Sequence, residues 1–258
     1  KLAPVYMALK RSKHFSVKVC VTGQHRFMLD QVLNFFDIYP DYDLDIMKKS
    51  QTLSELSVNL LSQLSTTLED CKPHYVLVQG DTSTTLIASL AAFYKKIPVI
   101  HVEAGLRTFN KYSPFPEEMN RELVSRLATL HFAPTKKAKE NLLAENISEE
   151  AIHLTGNTVI DALQWTLKNF DKSAKSYSQE KYDFVIKELK DNKYSVEKLY
   201  KKDRKKILIT CHRRESFGKE ISNICESIKY LAELYQDKVD FLFPVHLNPK
   251  VHSAVKNM

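Results

Sequence analysis

The sequence contains no apolar run approaching the roughly 20 residues that a membrane-spanning helix needs. Its first residues, Lys1-Leu2-Ala3-Pro4, lack the n-region, h-region and cleavage site of a signal peptide. No C-x-x-C pair joins Cys20, Cys71, Cys211 or Cys225, and Cys20 and Cys211 sit among β-type apolar residues. These read as reduced, mostly buried thiols of a cytoplasmic protein, neither disulfides nor zinc ligands. A G-x-x-x-x-G-K-[ST] loop and a G-x-G-x-x-G turn are both missing, which removes the support for a P-loop or a dinucleotide fingerprint. Without an H-x-x-x-H or clustered Asp pattern, no metal is expected. Glycine is scarce, at five residues in 258, so where each one falls carries information.

What is present is ordinary for a soluble globular protein, at 43% apolar and 27% charged, which argues against disorder and against a collagen-like or coiled-coil chain. The net charge of +7 is concentrated. Residues 190–206 hold eight Lys/Arg against Asp191, Glu197 and Asp203, with Tyr194 and Tyr200 interleaved. Such a run is read as solvated helix and loop, not as a nucleic-acid or membrane surface.

Short β-branched runs at 17–21, 75–79, 99–102, 130–133, 152–155, 207–210 and 241–245 predict strands. Helix-like stretches lie between them at 28–36, 53–71, 84–96, 117–127, 136–145, 158–169 and 220–235. In the second of these, Leu53, Leu56, Leu60, Leu61, Leu64 and Leu68 form an apolar stripe at helical spacing. Alternation of this kind, with nearly continuous apolar strands, predicts an α/β fold with parallel sheets covered on both faces. Residues 169–206 break the rhythm, being Lys-, Ser- and Tyr-rich, and divide the chain into a unit at 1–168 and a shorter one at 207–258.

Gly23, Gly80, Gly105 and Gly156 each fall just past a predicted strand, at the carboxyl-end turns where open α/β sheets bind ligands. Gly80-Asp81-Thr82-Ser83-Thr84 joins a strand to a helix, where Asp81 serves either as acid, base or hydroxyl acceptor or simply as the helix N-cap. His101 and Glu103 share one side of the next strand end, with Arg107 four residues on. His101 reads as a buried structural histidine. Glu103 is either a functional carboxylate or the ion-pair partner of Arg107. The proline-bracketed stretch 112–121 brings Glu117 and Glu118 into a first helical turn, where acids also complement the macrodipole. Asp81, Glu103 and Glu117/Glu118 thus map to one rim of one sheet, an arrangement suited to proton transfers between carboxyl groups of divergent pKa. His131 is read as structural. In the second unit, His212-Arg213-Arg214-Glu215 presents two guanidinium forks that suit a diphosphate or, equally, a surface Arg–Glu pair.

Seven stretches in order, VTGQHRFMLDQVL, VLVQGDTSTTLIASLAAFY, IPVIHVEAGLRT, YSPFPEEMNR, LTGNTVIDAL, HRRESFG and FPVHLNP, resemble the non-hydrolysing UDP-N-acetylglucosamine 2-epimerases. The resemblance runs from near residue 1 to about residue 250, with 169–206 diverging. It implies a glycosyltransferase-B fold of two Rossmann-like domains, 1–168 and 207–258, the second binding UDP. It further implies interconversion of UDP-N-acetylglucosamine and UDP-N-acetylmannosamine by elimination of UDP to a 2-acetamidoglucal and re-addition, with no metal or nicotinamide cofactor. Carried over by motif, Asp81, Glu103 and Glu117 are the expected acid/base and sugar-orienting residues, and His212 supports the departing diphosphate. Lys1, Arg107 and Arg213 are expected to bind substrate. Some members bind a second UDP-N-acetylglucosamine as activator, and Gln24, Arg213 and His246 are the matching elements, although Phe27 departs from the regulated pattern. The family is usually dimeric and serves cell-surface polysaccharide synthesis. Against its pattern the sequence reads as cut at both ends, without a first strand and without the last loops of the UDP pocket, and these 258 residues alone are expected to bind UDP poorly. A glycosyltransferase of the same fold, the hydrolysing epimerase and an inactive truncated homologue are the alternatives.

Overall fold

A computed structural model describes residues 1–23, 26–48, 51–170, 183, 186–187, 189–191, 203–210, 219–236 and 238–245. The chain forms two compact units, Lys1–Ser178 and Gln179–Met258, and the division falls within the basic 169–206 segment.

In the first unit the order is α1 (Leu2–Arg11), β1 (Cys20–Val21), α2 (Arg26–Phe35), β2 (Tyr42–Asp43), α3 (Leu53–Cys71), β3 (Val76–Gln79), α4 (Ser83–Tyr94), β4 (Val99–Val102), α5 (Glu117–Leu127), β5 (Leu130–Ala133), α6 (Lys136–Ala144), β6 (Ile152–Leu154) and α7 (Val159–Phe170). Strands β3-β4-β5-β6 form a parallel sheet in chain order, and β1 and β2 form a separate parallel pair. This is the α/β architecture that the alternating pattern predicts.

Local chemistry explains the helices that shape the sheet's rim. Thr52 and Glu55 close a reciprocal capping box that starts α3, with Thr52 N–H donating to Glu55 Oε2 at 2.8 Å. From α3, Leu56, Leu60 and Leu64 pack with Ile46, Ile87 and Ala91, so the leucine stripe is the core seam, with Leu53 at its exposed end. Helix α4 contacts α3 on one side and α5 on the other. Its fully buried Ser89, Ala91 and Ala92 let neighbouring backbones approach closely. Gly105 is required by space as well as by its φ of +87°: a Cβ there would lie 2.2 Å from the Ala138 carbonyl oxygen.

Several details differ from the sequence expectation: the strand Tyr42–Asp43 is not among those predicted, and the strands expected at 207–210 and 241–245 begin two residues earlier, as Lys205–Leu208 and Val239–Leu242. The strand expected at 17–21 is laddered only at Cys20–Val21, because the Asp41 carboxylate takes the Val19 N–H at 2.8 Å. Cys20 is exposed, not buried, whereas Cys225 is buried and Cys71 intermediate; none of the three is in a disulfide. Cys211 lies outside the described residues.

Within the second unit, β7 (Lys205–Leu208) pairs in parallel with β8 (Val239–Leu242), and α8 (Lys219–Leu234) buries Ile221, Cys225 and Ile228. Arg204 ties the entry of β7 to β8 through Asp240 Oδ1 at 2.7 Å and the Val239 carbonyl at 2.8 Å. Among the described residues no helix is long and apolar enough to cross a membrane.

Candidate active site

The carboxyl ends of β3, β4 and β6, the first residue of the chain and the first turns of α5 meet at one rim of the four-stranded sheet. Strand β3 ends at Gln79, and Gly80 turns the chain with φ +76°. Helix α4 is then capped by Thr82, whose hydroxyl accepts the Thr85 N–H at 3.3 Å. The cap is therefore Thr82 and not Asp81, which leaves the Asp81 carboxylate for other work.

Glu103 follows β4 directly and holds φ +65°, a left-handed conformation uncommon outside glycine and worth on the order of 1–3 kcal/mol of strain. Its side chain is only 10% exposed and both oxygens are engaged. Lys1 Nζ donates to Oε1 at 2.5 Å, Asn157 Nδ2 to Oε1 at 3.3 Å, and Gln79 Nε2 to Oε2 at 2.5 Å. A Cβ on Gly80 would meet Glu103 Oε2 at 3.7 Å, so the carboxylate lies over the Gly80 turn.

Asp81 is one residue beyond that turn. Arg121 Nη1 donates to its Oδ2 at 3.2 Å, and Asn120 Nδ2 donates to its carbonyl oxygen at 2.8 Å. Burial pushes the Asp81 carboxyl above the usual aspartate value; the charges of Glu117 and Glu103 push the same way, while Arg121 and Lys1 oppose them. Glu117 opens α5 and is half-buried. Its neighbour Glu118 is fully buried. It accepts the Thr108 and Phe109 N–H groups at 2.8 Å each, the Arg121 Nε–H at 2.7 Å, and Arg121 Nη2–H as well. Burial alone would raise the Glu118 carboxyl, but the hydrogen bonds from Arg121 and from the two backbone N–H groups outweigh it and hold the group below the usual glutamate value.

His101 on β4 is fully buried beside His131 on β5, its register partner. Its Nε2–H donates to the Gly80 carbonyl at 2.8 Å, and its Nδ1, like that of His131, has no hydrogen-bond partner among the described residues. Burial pulls both imidazoles down to about 4, so both are neutral at neutral pH.

Arg107 is not brought to this rim. Its fully buried guanidinium makes a bidentate pair with Glu145, Nε to Oε1 at 2.6 Å and Nη2 to Oε2 at 2.9 Å. The remaining donors go to the Leu106 carbonyl and Ser125 Oγ. With every direction of its fork used, Arg107 supports the β4–α5 loop, and the cation paired with Glu103 is Lys1. Gln24, His212, Arg213 and His246 lie outside the described residues.

Sequence reading missed four contributors, namely Gln79, Asn120, Arg121 and Asn157. A signal existed for Arg121, which stands three and four residues after Glu118 and Glu117 at the spacing that places side chains on one helix face. Among the described residues no group of three His, Cys, Asp or Glu side chains is placed to hold a metal ion.

The sequence profile of the UDP-N-acetylglucosamine 2-epimerase family matches residues 7–258. A Salmonella typhimurium UDP-N-acetylglucosamine 2-epimerase is 48% identical over 260 residues, covering 100% of this chain and 65% of the relative. The crystal structure of a Neisseria meningitidis UDP-GlcNAc 2-epimerase bound to UDP-GlcNAc superposes with a TM-score of 0.86 at 48% identity, covering 100% of this chain and 65% of that one. A Methanocaldococcus jannaschii UDP-GlcNAc 2-epimerase in complex with UDP-GlcNAc and UDP gives a TM-score of 0.73 at 32% identity, again over 100% of this chain and 65% of that one. The chain thus spans just under two thirds of the length of these relatives.

Proposed function

Because the chain belongs to the UDP-N-acetylglucosamine 2-epimerase family, we propose that the protein interconverts UDP-N-acetylglucosamine and UDP-N-acetylmannosamine by inverting C2. The observation that supports this reading best is the pairing of unlike carboxyl groups on one rim. Asp81 is raised by burial and holds a single guanidinium contact, whereas Glu103 is fixed by three donors and Glu117 stands alongside. A carboxyl with a raised pKa exchanges a proton near neutral pH more readily than a free aspartate, and a neighbouring carboxylate fixed by donors is placed to orient sugar hydroxyl or amide groups.

The reaction we propose removes the C2 proton to a rim carboxylate as the C1–O bond to UDP breaks, leaving a 2-acetamidoglucal and UDP. Return of a proton to the opposite face of C2, with UDP re-adding at C1, gives the epimer. Asp81, Glu103 and Glu117 carry or orient for these transfers, Lys1 holds Glu103 in place, and His212 with Arg213 belongs to the diphosphate end. Within the same reading, 1–168 and 207–258 are the two Rossmann-like domains of the family fold, joined by 169–206, and the protein acts as a cytoplasmic homodimer supplying cell-surface polysaccharide synthesis. Gln24, Arg213 and His246 are kept for a second, activating UDP-N-acetylglucosamine.

Proton NMR of the full-length protein with UDP-N-acetylglucosamine in D₂O tests the proposal. Deuterium at C2 together with UDP-N-acetylmannosamine is the expected outcome. Free N-acetylmannosamine plus UDP would assign the hydrolysing reaction instead, and an unchanged spectrum with UDP still bound would favour a transferase or a pure binder.

A further inference from the structure

The two peptide groups that flank Asp81 are each held through their carbonyl oxygen by a buried side chain from a different element. The Gly80 carbonyl accepts from His101 Nε2 on β4 at 2.8 Å, and the Asp81 carbonyl accepts from Asn120 Nδ2 on α5 at 2.8 Å. His101 is fully buried and Asn120 is 5% exposed. Each carbonyl orients one peptide plane, and the two planes together fix the Cα–Cβ direction of the residue between them. We infer that His101 and Asn120 are positioning residues, a two-carbonyl clamp that aims the Asp81 carboxylate for the proposed proton transfer at C2.

Three observations carry this beyond ordinary core packing. The Gly80 turn has φ +76°, a conformation with no helix or strand ladder to maintain it past its N–H, which reaches the Val102 carbonyl at 3.1 Å. Thr82, not Asp81, caps α4, so the helix itself does not hold the Asp81 side chain. His101 spends its only N–H on this turn: a carbonyl can only accept, so the proton resides on Nε2 and Nδ1 is a bare lone pair without a partner among the described residues. An imidazole retained at a fully buried position with one nitrogen unsatisfied makes sense if its other nitrogen does something an apolar residue cannot. The low pKa of His101 is consistent with this, because it keeps the ring neutral, with Nε2 as its single donor, throughout the neutral range.

The inference rests on the C2 chemistry proposed above, and its test separates the two. His101→Phe, His101→Gln and Asn120→Ala are made in the full-length protein, and initial rates of epimerisation are measured over substrate concentration. Glutamine places an amide N–H where Nε2–H stood. The expected result is a kcat lower by roughly 10²-fold in His101→Phe and Asn120→Ala, with KM within about twofold of the parent, since misaiming a reacting group by about 1 Å has that effect. His101→Gln should recover most of the loss. A kcat within about threefold of the parent in both disruptive variants overturns the clamp, and so does a glutamine variant no better than phenylalanine. Should His101→Phe fail to fold, Asn120→Ala and His101→Gln decide alone. If the parent places no deuterium at C2, the C2 reading fails, and the clamp is then judged by carboxyl ¹³C titration, with Asp81 assigned through Asp81→Asn. A midpoint that falls toward the ordinary aspartate value in Asn120→Ala supports a freed side chain, and an unmoved midpoint overturns it.

Discussion

Lys1 Nζ lies 2.5 Å from Glu103 Oε1, across 102 positions of sequence, and this pair closes one side of the candidate site. Lys1 is 38% exposed at its side chain, so the ion pair itself contributes little stability, on the order of 1 kcal/mol or less. Its effect is on Glu103, whose other contacts are the neutral amides of Gln79 and Asn157. Lys1→Met is therefore expected to leave the urea midpoint nearly unchanged while epimerisation falls by about 10- to 100-fold, the scale expected when an electrostatic partner of a reacting group is removed. A variant with parental turnover would remove Lys1 from the site.

Replacing Asp81 by Asn should abolish most turnover, by about 10²- to 10⁴-fold if the carboxyl exchanges the proton. Its effect on stability should have the opposite sign to that of most buried substitutions. A carboxyl raised in the folded state is charged less readily there than in the unfolded chain, so its ionisation disfavours folding as the pH rises above the ordinary aspartate range. Asp81→Asn should then be at least as stable as the parent at pH 7, with the difference vanishing toward pH 3. Denaturant midpoints of parent and variant across that range check the sign.

Glu117 and Glu118 are adjacent in sequence and should behave oppositely. Glu118→Gln removes the charge that Arg121 and two backbone N–H groups converge on in a dry site, and it should destabilise by about 3–5 kcal/mol. Because the Glu118 carboxyl is held below its ordinary value, the stability it confers is present at neutral pH and is lost as the pH falls below the usual glutamate range. Glu117→Gln should keep the parental melting temperature and affinity for UDP while losing turnover. Differential scanning calorimetry alongside a rate assay separates the two residues.

Arg107→Lys tests the reassignment of that residue. Lysine cannot reproduce a bidentate fork to Glu145, and the buried carboxylate would be left half-satisfied. Loss of about 3 kcal/mol in stability is expected, with KM for the nucleotide sugar unchanged in the folded fraction. A KM raised tenfold at parental stability would return Arg107 to substrate binding.

Acid should weaken the first unit through His101 and His131. Each is depressed to about 4 in the fold, so between roughly pH 6.5 and pH 4 the unfolded chain binds protons that the folded chain does not. Stability is complete above pH 6.5 and declines through that window, by about 3 kcal/mol for each ring. Urea titrations at pH 7, 5.5 and 4.5 follow the decline, and His131→Leu should flatten it.

Most of the sheet was legible because its strands are short apolar runs between polar turns. Strands β4 and β5 occupy the expected 99–102 and 130–133, and α3 and α5 fill the expected 53–71 and 117–127. Strand β2 was not legible, since Tyr42–Asp43 sits in an acidic stretch and is held by pairing to Cys20–Val21 instead of by its own pattern. In the site, Asp81 and Glu103 announce themselves as acids at strand ends. Arg107 misleads for the opposite reason: its proximity to Glu103 is only sequential, and its actual partner, Glu145, is 38 residues away. Gln79, Asn120 and Asn157 lie within the quoted stretches but carry no charge to single them out, and their meaning arises only when the tertiary structure brings their amides to Glu103 and Asp81.

Neighbours in the β3-β4-β5-β6 sheet are also neighbours along the chain, and this bears on how the site comes into being on the ribosome. Each strand finds its partner as soon as the next crossover has been synthesised, without waiting for distant sequence. Gln79 and Glu103 meet once β4 has emerged, Arg121 joins Asp81 as α5 follows, and Asn157 completes the cradle after β6. The rim is laid down in the order of translation, with Lys1, made well before β4, waiting for the strand end it will pair with.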